Sequence, residues 1–306
     1  GWRLVLYWIA YLLLTSGLSI LLAVIGMIVM LIAGEGFSPE GLMSSPLILL
    51  ASGFISVVAV VPTTWAFGRW IDWRKFSDFG FKMNVDWWID LFFGLLLGAV
   101  LMWGIFLVEK QLNWLEVLPR TVEWNWSNFY RWIARAALLF ICVGFYEELL
   151  FRGYLLKNLS EGLHAKLSAR ASVSISLIVT SGIFGIAHAT NPNATFISSF
   201  NIALAGIFLG LGMVLNNKLA IPIGLHITWN FFQGNVFGWS VSGTNAGLSF
   251  INTDVFGPEK WTGGVFGPEA GYLGLLAMLV GSALTIAYLL VRYGKIGIVQ
   301  EIAIYT

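Results

Sequence analysis

Eight stretches of about 20 predominantly apolar residues follow one another along this chain, and a run of that length is what a helix needs to cross the hydrocarbon core of a bilayer. They fall near Tyr7–Ala33, Pro46–Ile71, Trp87–Val108, Phe129–Leu156, Ala171–Ala189, Thr195–Leu215, Ile221–Trp239 and Tyr272–Val291. Backbone groups in hydrocarbon must pair within their own segment, so each span is expected to be helical. The expected fold is all-α: a polytopic membrane bundle of about eight helices, read as one domain over 1–306. Composition agrees. Charged residues make up 11% of the chain, against about 25% in soluble domains. The first apolar stretch is too long for a signal-peptide core and reads as a retained span.

Eight spans put both termini on one face. That face collects Arg3, Arg69, Arg74, Lys75, Lys82, Arg152, Lys157, Lys166, Arg170, Lys218, Arg292 and Lys295; the other collects Lys110, Arg120, Arg131, Arg135 and Lys260. The excess of cations places both termini in the cytoplasm. A net charge of +1 without a basic tract excludes nucleic acid as a partner and leaves membrane lipid. The single cysteine, Cys142, lies in an apolar helix and is read as a packing residue.

Two stretches do not span. Lys110–Ser127, with Trp114, Trp124 and Trp126 among polar residues, is expected to lie at the outer interface. Val241–Gly271 is long and glycine-rich and contains an echo, Val255-Phe256-Gly257-Pro258-Glu259 and Val265-Phe266-Gly267-Pro268-Glu269. The second copy is expected to open the last helix, with Pro268 in its first turn and Glu269 capping its positive end.

The polar residues inside the spans carry the functional argument. A carboxylate at the bilayer centre costs about 2.5–3.5 kcal/mol on insertion scales, yet the fourth span holds Glu147 and Glu148, with Arg152 one turn on. Glu148 and Arg152 share a face and are expected to pair. Glu147 is rotated by about 100° from Glu148 and is free of that pair. Desolvated and beside a like charge, it suits general acid–base work. His188 ends Phe184-Gly185-Ile186-Ala187-His188 on the fifth span; His226 and Asn230 share one face of the seventh. His164 lies in a polar loop and has no assigned role. A carboxylate with an imidazole can hold and deprotonate a water, and a second imidazole with an amide can donate to an oxyanion. There is no G-x-S-x-G, and Cys142 has no adjacent base, so water is the expected nucleophile.

In order, Glu147-Glu148-x-x-x-Arg152, Phe184-x-x-x-His188 and His226-x-x-x-Asn230 resemble the motifs of the CAAX protease and bacteriocin-processing (ABI) family, intramembrane endopeptidases that include the Ras-converting CAAX enzyme. The resemblance covers about 129–239. It implies an eight-helix bundle around a conical catalytic cavity open to the cytoplasm. Glu147 and His188 would activate the water, His226 and Asn230 would form the oxyanion hole, and Glu148 with Arg152 would support the site or bind substrate. The implied substrate is a lipidated protein or other membrane-associated peptide, and the implied location a prokaryotic inner membrane. The expected cofactor is none; a zinc peptidase using Glu147, His188 and His226 is the alternative, although H-E-x-x-H is missing. A transporter is disfavoured by the lack of an inverted repeat. A non-catalytic scaffold or immunity protein is the remaining rival.

Overall fold

The computed structural model describes residues 2–33, 46–119, 126–294 and 296–305. Arg120, Trp124 and Lys295, which figure in the sequence argument, lie outside this set. Within it the long helices are α1 (Trp2–Ala33), α2 (Pro46–Trp70), α3 (Val85–Gln111), α4 (Trp126–Glu148, continuing through Leu149–Leu156 into Lys157–His164), α5 (Ala169–Ala187), α6 (Phe196–Asn216), α7 (Ala220–Phe231) and α8 (Tyr272–Tyr293). The protein is an integral membrane protein, all-α in its membrane part.

Six helices, α1, α2, α3, α5, α6 and α8, carry a window long and apolar enough to cross a membrane. The other two are short of that mark for a physical reason. α4 is interrupted by Glu147, Glu148, Arg152 and Lys157, and α7 has only 12 α-helical residues before its backbone widens into a π-helical turn at Phe232–Val236. α7 is almost wholly buried, whereas α4 exposes Tyr130, Leu138 and Ile141 along its first half. α4 also carries a π-helical stretch, Leu149–Leu156, immediately after the acid pair. Wide turns of this kind recur at functional sites.

Small residues bring the central helices together. A Cβ on Gly94 would stand 2.5 Å from the Ile221 carbonyl oxygen, and one on Gly98 2.6 Å from that of Leu225. Gly224 faces α3 in return, against the Leu91 carbonyl, and Gly144 of α4 abuts Ile227. α7 is thus held backbone to backbone between α3 and α4, the close packing that small residues permit between membrane helices. Asp90, fully buried on α3, fixes one end of this layer: it accepts hydrogen bonds from Asn216, Lys218, Tyr288 and Tyr293. One carboxylate so ties α3, the α6–α7 turn and α8. Its burial is offset because several donors meet its lone pairs.

Arg3 lies 3.3 Å from Asp72, and the Tyr305 hydroxyl donates to the Asp72 carbonyl at 2.8 Å. Arg3 and Tyr305 therefore share a face with the α2–α3, α4–α5 and α6–α7 connections. The opposite face carries the α5–α6 loop and the segment after α7. There Leu115–Val117 pairs antiparallel with Thr253–Val255. The stretch expected at the outer interface, Lys110–Ser127, begins with this strand, partnered by the long loop, with Trp114 half-buried against Trp261; residues 120–125 lie outside the described set. Trp126 opens α4. Glu269 does not cap α8, which starts from Gly271; its carboxylate is turned to the loop before it.

Candidate active site

Glu147 and Glu148 are the last α-helical residues of α4 before the π turns. Glu148, fully buried, accepts from Arg152 Nη1 at 2.9 Å and from His226 Nδ1 at 2.8 Å, both at Oε1. Arg152 donates a second bond to the Gly206 carbonyl at 2.8 Å, and its guanidinium lies 4.6 Å over the Phe184 ring. The expected Glu148–Arg152 pair is therefore present and reaches three other helices. Neither residue lines the cavity.

His226 stands between the two acids. A carboxylate accepts at Nδ1, so Nδ1 carries the proton and Nε2 is turned 3.7 Å from Glu147 Oε2. The other oxygen, Glu147 Oε1, accepts from the Tyr146 hydroxyl at 2.9 Å, while Oε2 is buried without a hydrogen-bond partner. α5 ends at Ala187, and His188 is its C-cap. Its Nδ1 is 2.8 Å from the Phe184 carbonyl oxygen, an acceptor, which leaves Nε2 with its lone pair. Phe184 packs between the two imidazoles, with ring centroids 4.6 Å from His188 and 6.2 Å from His226. Thus His226, not His188, is in direct salt-bridge reach of Glu147.

Glu147, His188, His226 and Asn230 share the wall of one cavity of about 570 Å³. The rest of the wall is largely apolar, with contributions from Tyr11 of α1 and Met278 of α8. Its loop residues, Asn191, Val241, Ser242 and Thr244 to Ala246, come from the face opposite Arg3 and Tyr305, so the cavity reaches towards the face away from the termini and not towards the termini's own face, where the resemblance implies that it opens. His188 at the end of α5 reaches Glu147's cavity because the cavity extends towards these loops. Glu269 holds that loop: it accepts from Ser242 N at 2.5 Å and Ser242 Oγ at 3.1 Å, and Gln233 Nε2 donates to it. Burial pushes its carboxyl up to about 7, against hydrogen bonds that act the other way.

Among the described residues no three His, Cys, Asp or Glu side chains are grouped to hold a metal ion. In both His188 and His226 Nδ1 is engaged by an oxygen, so Nε2 is the atom of each that would take a ligand.

Sequence reasoning missed Tyr146, Tyr11 and Glu269. Tyr146 was visible as the polar neighbour of Glu147. Tyr7, Tyr11 and Thr15 form a hydroxyl stripe at helical spacing along an otherwise apolar first span. The place of Glu269 had no sequence signal beyond the echo.

Residues 129–232, which hold every one of the motif residues named above, match the family model of the Rce1-like type II CAAX prenyl endopeptidases. A family of peptidases and a bundle of membrane helices accord with the intramembrane-protease reading in its general form. The chain is also 26% identical over 203 residues to the uncharacterized protein YyaK of Bacillus subtilis (strain 168), a match covering 63% of this chain and 62% of that protein. The match thus spans less than two thirds of the relative. No solved structure matches the chain. The Rce1-like segment comprises α4 from Phe129 to the start of the π turn in α7; α1 to α3 and α8 enclose it.

Proposed function

We propose that this chain is an intramembrane endopeptidase that hydrolyses a peptide bond near the C-terminus of a prenylated or otherwise membrane-associated peptide, with water as nucleophile. The observation that carries the reading is the meeting of Glu147, His188, His226 and Asn230, from three helices, around one largely apolar cavity in an Rce1-like segment.

The chemistry runs from the free atoms. Glu147 Oε2, the acid oxygen without a partner, takes a proton from water as the water oxygen attacks the scissile carbonyl. His188 presents an unengaged Nε2 for orienting the same water. The oxyanion that forms is met by the Asn230 amide and by His226 Nε2. That donation needs a proton on Nε2 while Nδ1 donates to Glu148. The proton on Glu147 then passes to the leaving amine. Glu148 and Arg152 fix the His226 ring. The enzyme is placed in a prokaryotic inner membrane with both termini cytoplasmic, from the cation bias of the sequence.

The test is cleavage of prenylated and unmodified C-terminal peptides by purified protein, read by mass spectrometry. Glu147→Gln is expected to abolish cleavage while the melting temperature is kept. Normal cleavage by that variant refutes the base; no cleavage by wild-type protein of any membrane peptide favours a scaffold or transporter. One zinc per chain, lost together with activity, would replace the metal-free mechanism.

A further inference from the structure

The mechanism leaves one hydroxyl unused. The Tyr146 phenol donates to Glu147 Oε1 at 2.9 Å, and Tyr146 is itself in the cavity wall. Adjacent residues on a helix point about 100° apart, so this contact is not imposed by helical spacing. It needs the phenol to swing back across the helix surface. Two helices outside the Rce1-like segment come near it: Tyr11 of α1, buried and in the same wall, and α2, where the Ser56 hydroxyl donates to the Ser52 carbonyl and lies close to both phenols.

The two oxygens of Glu147 thereby become unequal. Oε1 accepts from a donor on the protein, while Oε2 is buried, unpartnered and turned to His226. A carboxylate without the phenol is free to rotate about its last side-chain bond, which is broad and roughly two-fold. It could then present either oxygen, or bond to His226 by itself. We infer that Tyr146 is a positioning residue that holds Glu147 so that a single oxygen, Oε2, faces the water and the scissile bond. The inference rests on the reading of Glu147 as base. It also gives α1 and α2 a part in the reaction: they set the position of the phenol.

The experiment compares Tyr146→Phe, a ring-fluorinated tyrosine at position 146, and Glu147→Gln with wild-type protein in detergent, following kcat, KM and melting temperature on one cleaved peptide. Tyr146→Phe removes a single oxygen. It is expected to lower kcat by about ten- to hundredfold, the range for loss of a hydrogen bond to a charged group, with KM and melting temperature unchanged. The fluorinated tyrosine keeps the hydroxyl and should retain kcat within a few-fold. The proposal fails on its own if Glu147→Gln is inactive and Tyr146→Phe turns over within twofold of wild type. It fails also if the loss appears in KM alone, or if both position-146 variants lose kcat equally, which would make the ring's packing the cause. An active Glu147→Gln removes the base assignment and the inference with it.

Discussion

Arg152→Met isolates the buried ion pair from the volume of the side chain that makes it. The substitution keeps an unbranched stem and removes the guanidinium. Arg152 is 1% exposed and bridges Glu148, 2.9 Å away, to the Gly206 carbonyl. Once it is gone, Glu148 remains fully buried with His226 as its single donor. Removing one partner of a buried pair costs about 3–5 kcal/mol, because the other charge is left uncompensated. At roughly 2–4 °C per kcal/mol, the melting temperature in detergent should fall by about 6–20 °C. Activity should fall too, because the tautomer and tilt of His226 depend on Glu148. The double variant Glu148→Gln/Arg152→Met should regain part of the loss, since it leaves no orphaned charge. Fluorescence or circular-dichroism melts of the three proteins decide it. A midpoint within about 2 °C of wild type for Arg152→Met, or a double variant no better than the single, would refute the reasoning.

Gly98→Ala places a methyl group against the Leu225 carbonyl and Thr228, in backbone that cannot yield, so it should force α7 away from α3 and lower both melting temperature and cleavage; Gly104→Ala, with open space around it, should do neither. Glu269 should make stability depend on pH. Its carboxyl is raised in the folded state from an ordinary 4.5 to about 7, so its contribution is complete below about 4.5 and is lost as pH rises through about 7. Glu269→Gln should flatten that part of a pH series of melts, and an unchanged series would refute the assignment. With Cys142 replaced by alanine, Lys218→Cys and Asn245→Cys should react with an impermeant thiol reagent from opposite sides of the membrane, Asn245→Cys from outside in intact cells; labelling of both from one side would overturn the arrangement of the faces.

The helices were legible because crossing hydrocarbon demands length and apolarity, and both are written in single residues. The polar residues of the site were legible for the converse reason: Glu147, Glu148 and Arg152 are costly in such a segment, and His226 and Asn230 share a face. Which groups meet was not. Glu148 was read as Arg152's partner alone, yet it also holds His226, a contact 78 positions distant that depends on how closely glycines let α7 approach α4. His188 sits at the end of α5 with its Nδ1 on its own backbone, a placement set by where the helix stops rather than by the motif's spacing. The strand at Leu115–Val117 escaped because three residues without regular alternation carry no period. Glu269 was read as a cap because local rules see only its own helix, not Ser242 and Gln233 brought up by the loop.

The π-helical stretch at Leu149–Leu156 has a consequence for the chain as a mechanical object. Upstream of it sit Glu147 and Glu148, aimed at α7; downstream, Glu161 pairs with Arg74, which follows α2, and Lys157 lies 3.9 Å from Glu161. The widened turns act as a phase adjuster that lets both ends of one shaft mesh with different gears. Deleting one residue from 149–156 would let the stretch relax to ordinary helix and rotate one end by about 100° against the other. A protein so shortened would keep every reactive side chain and still be unable to bring them into mesh, so in this part of the chain length itself is under constraint.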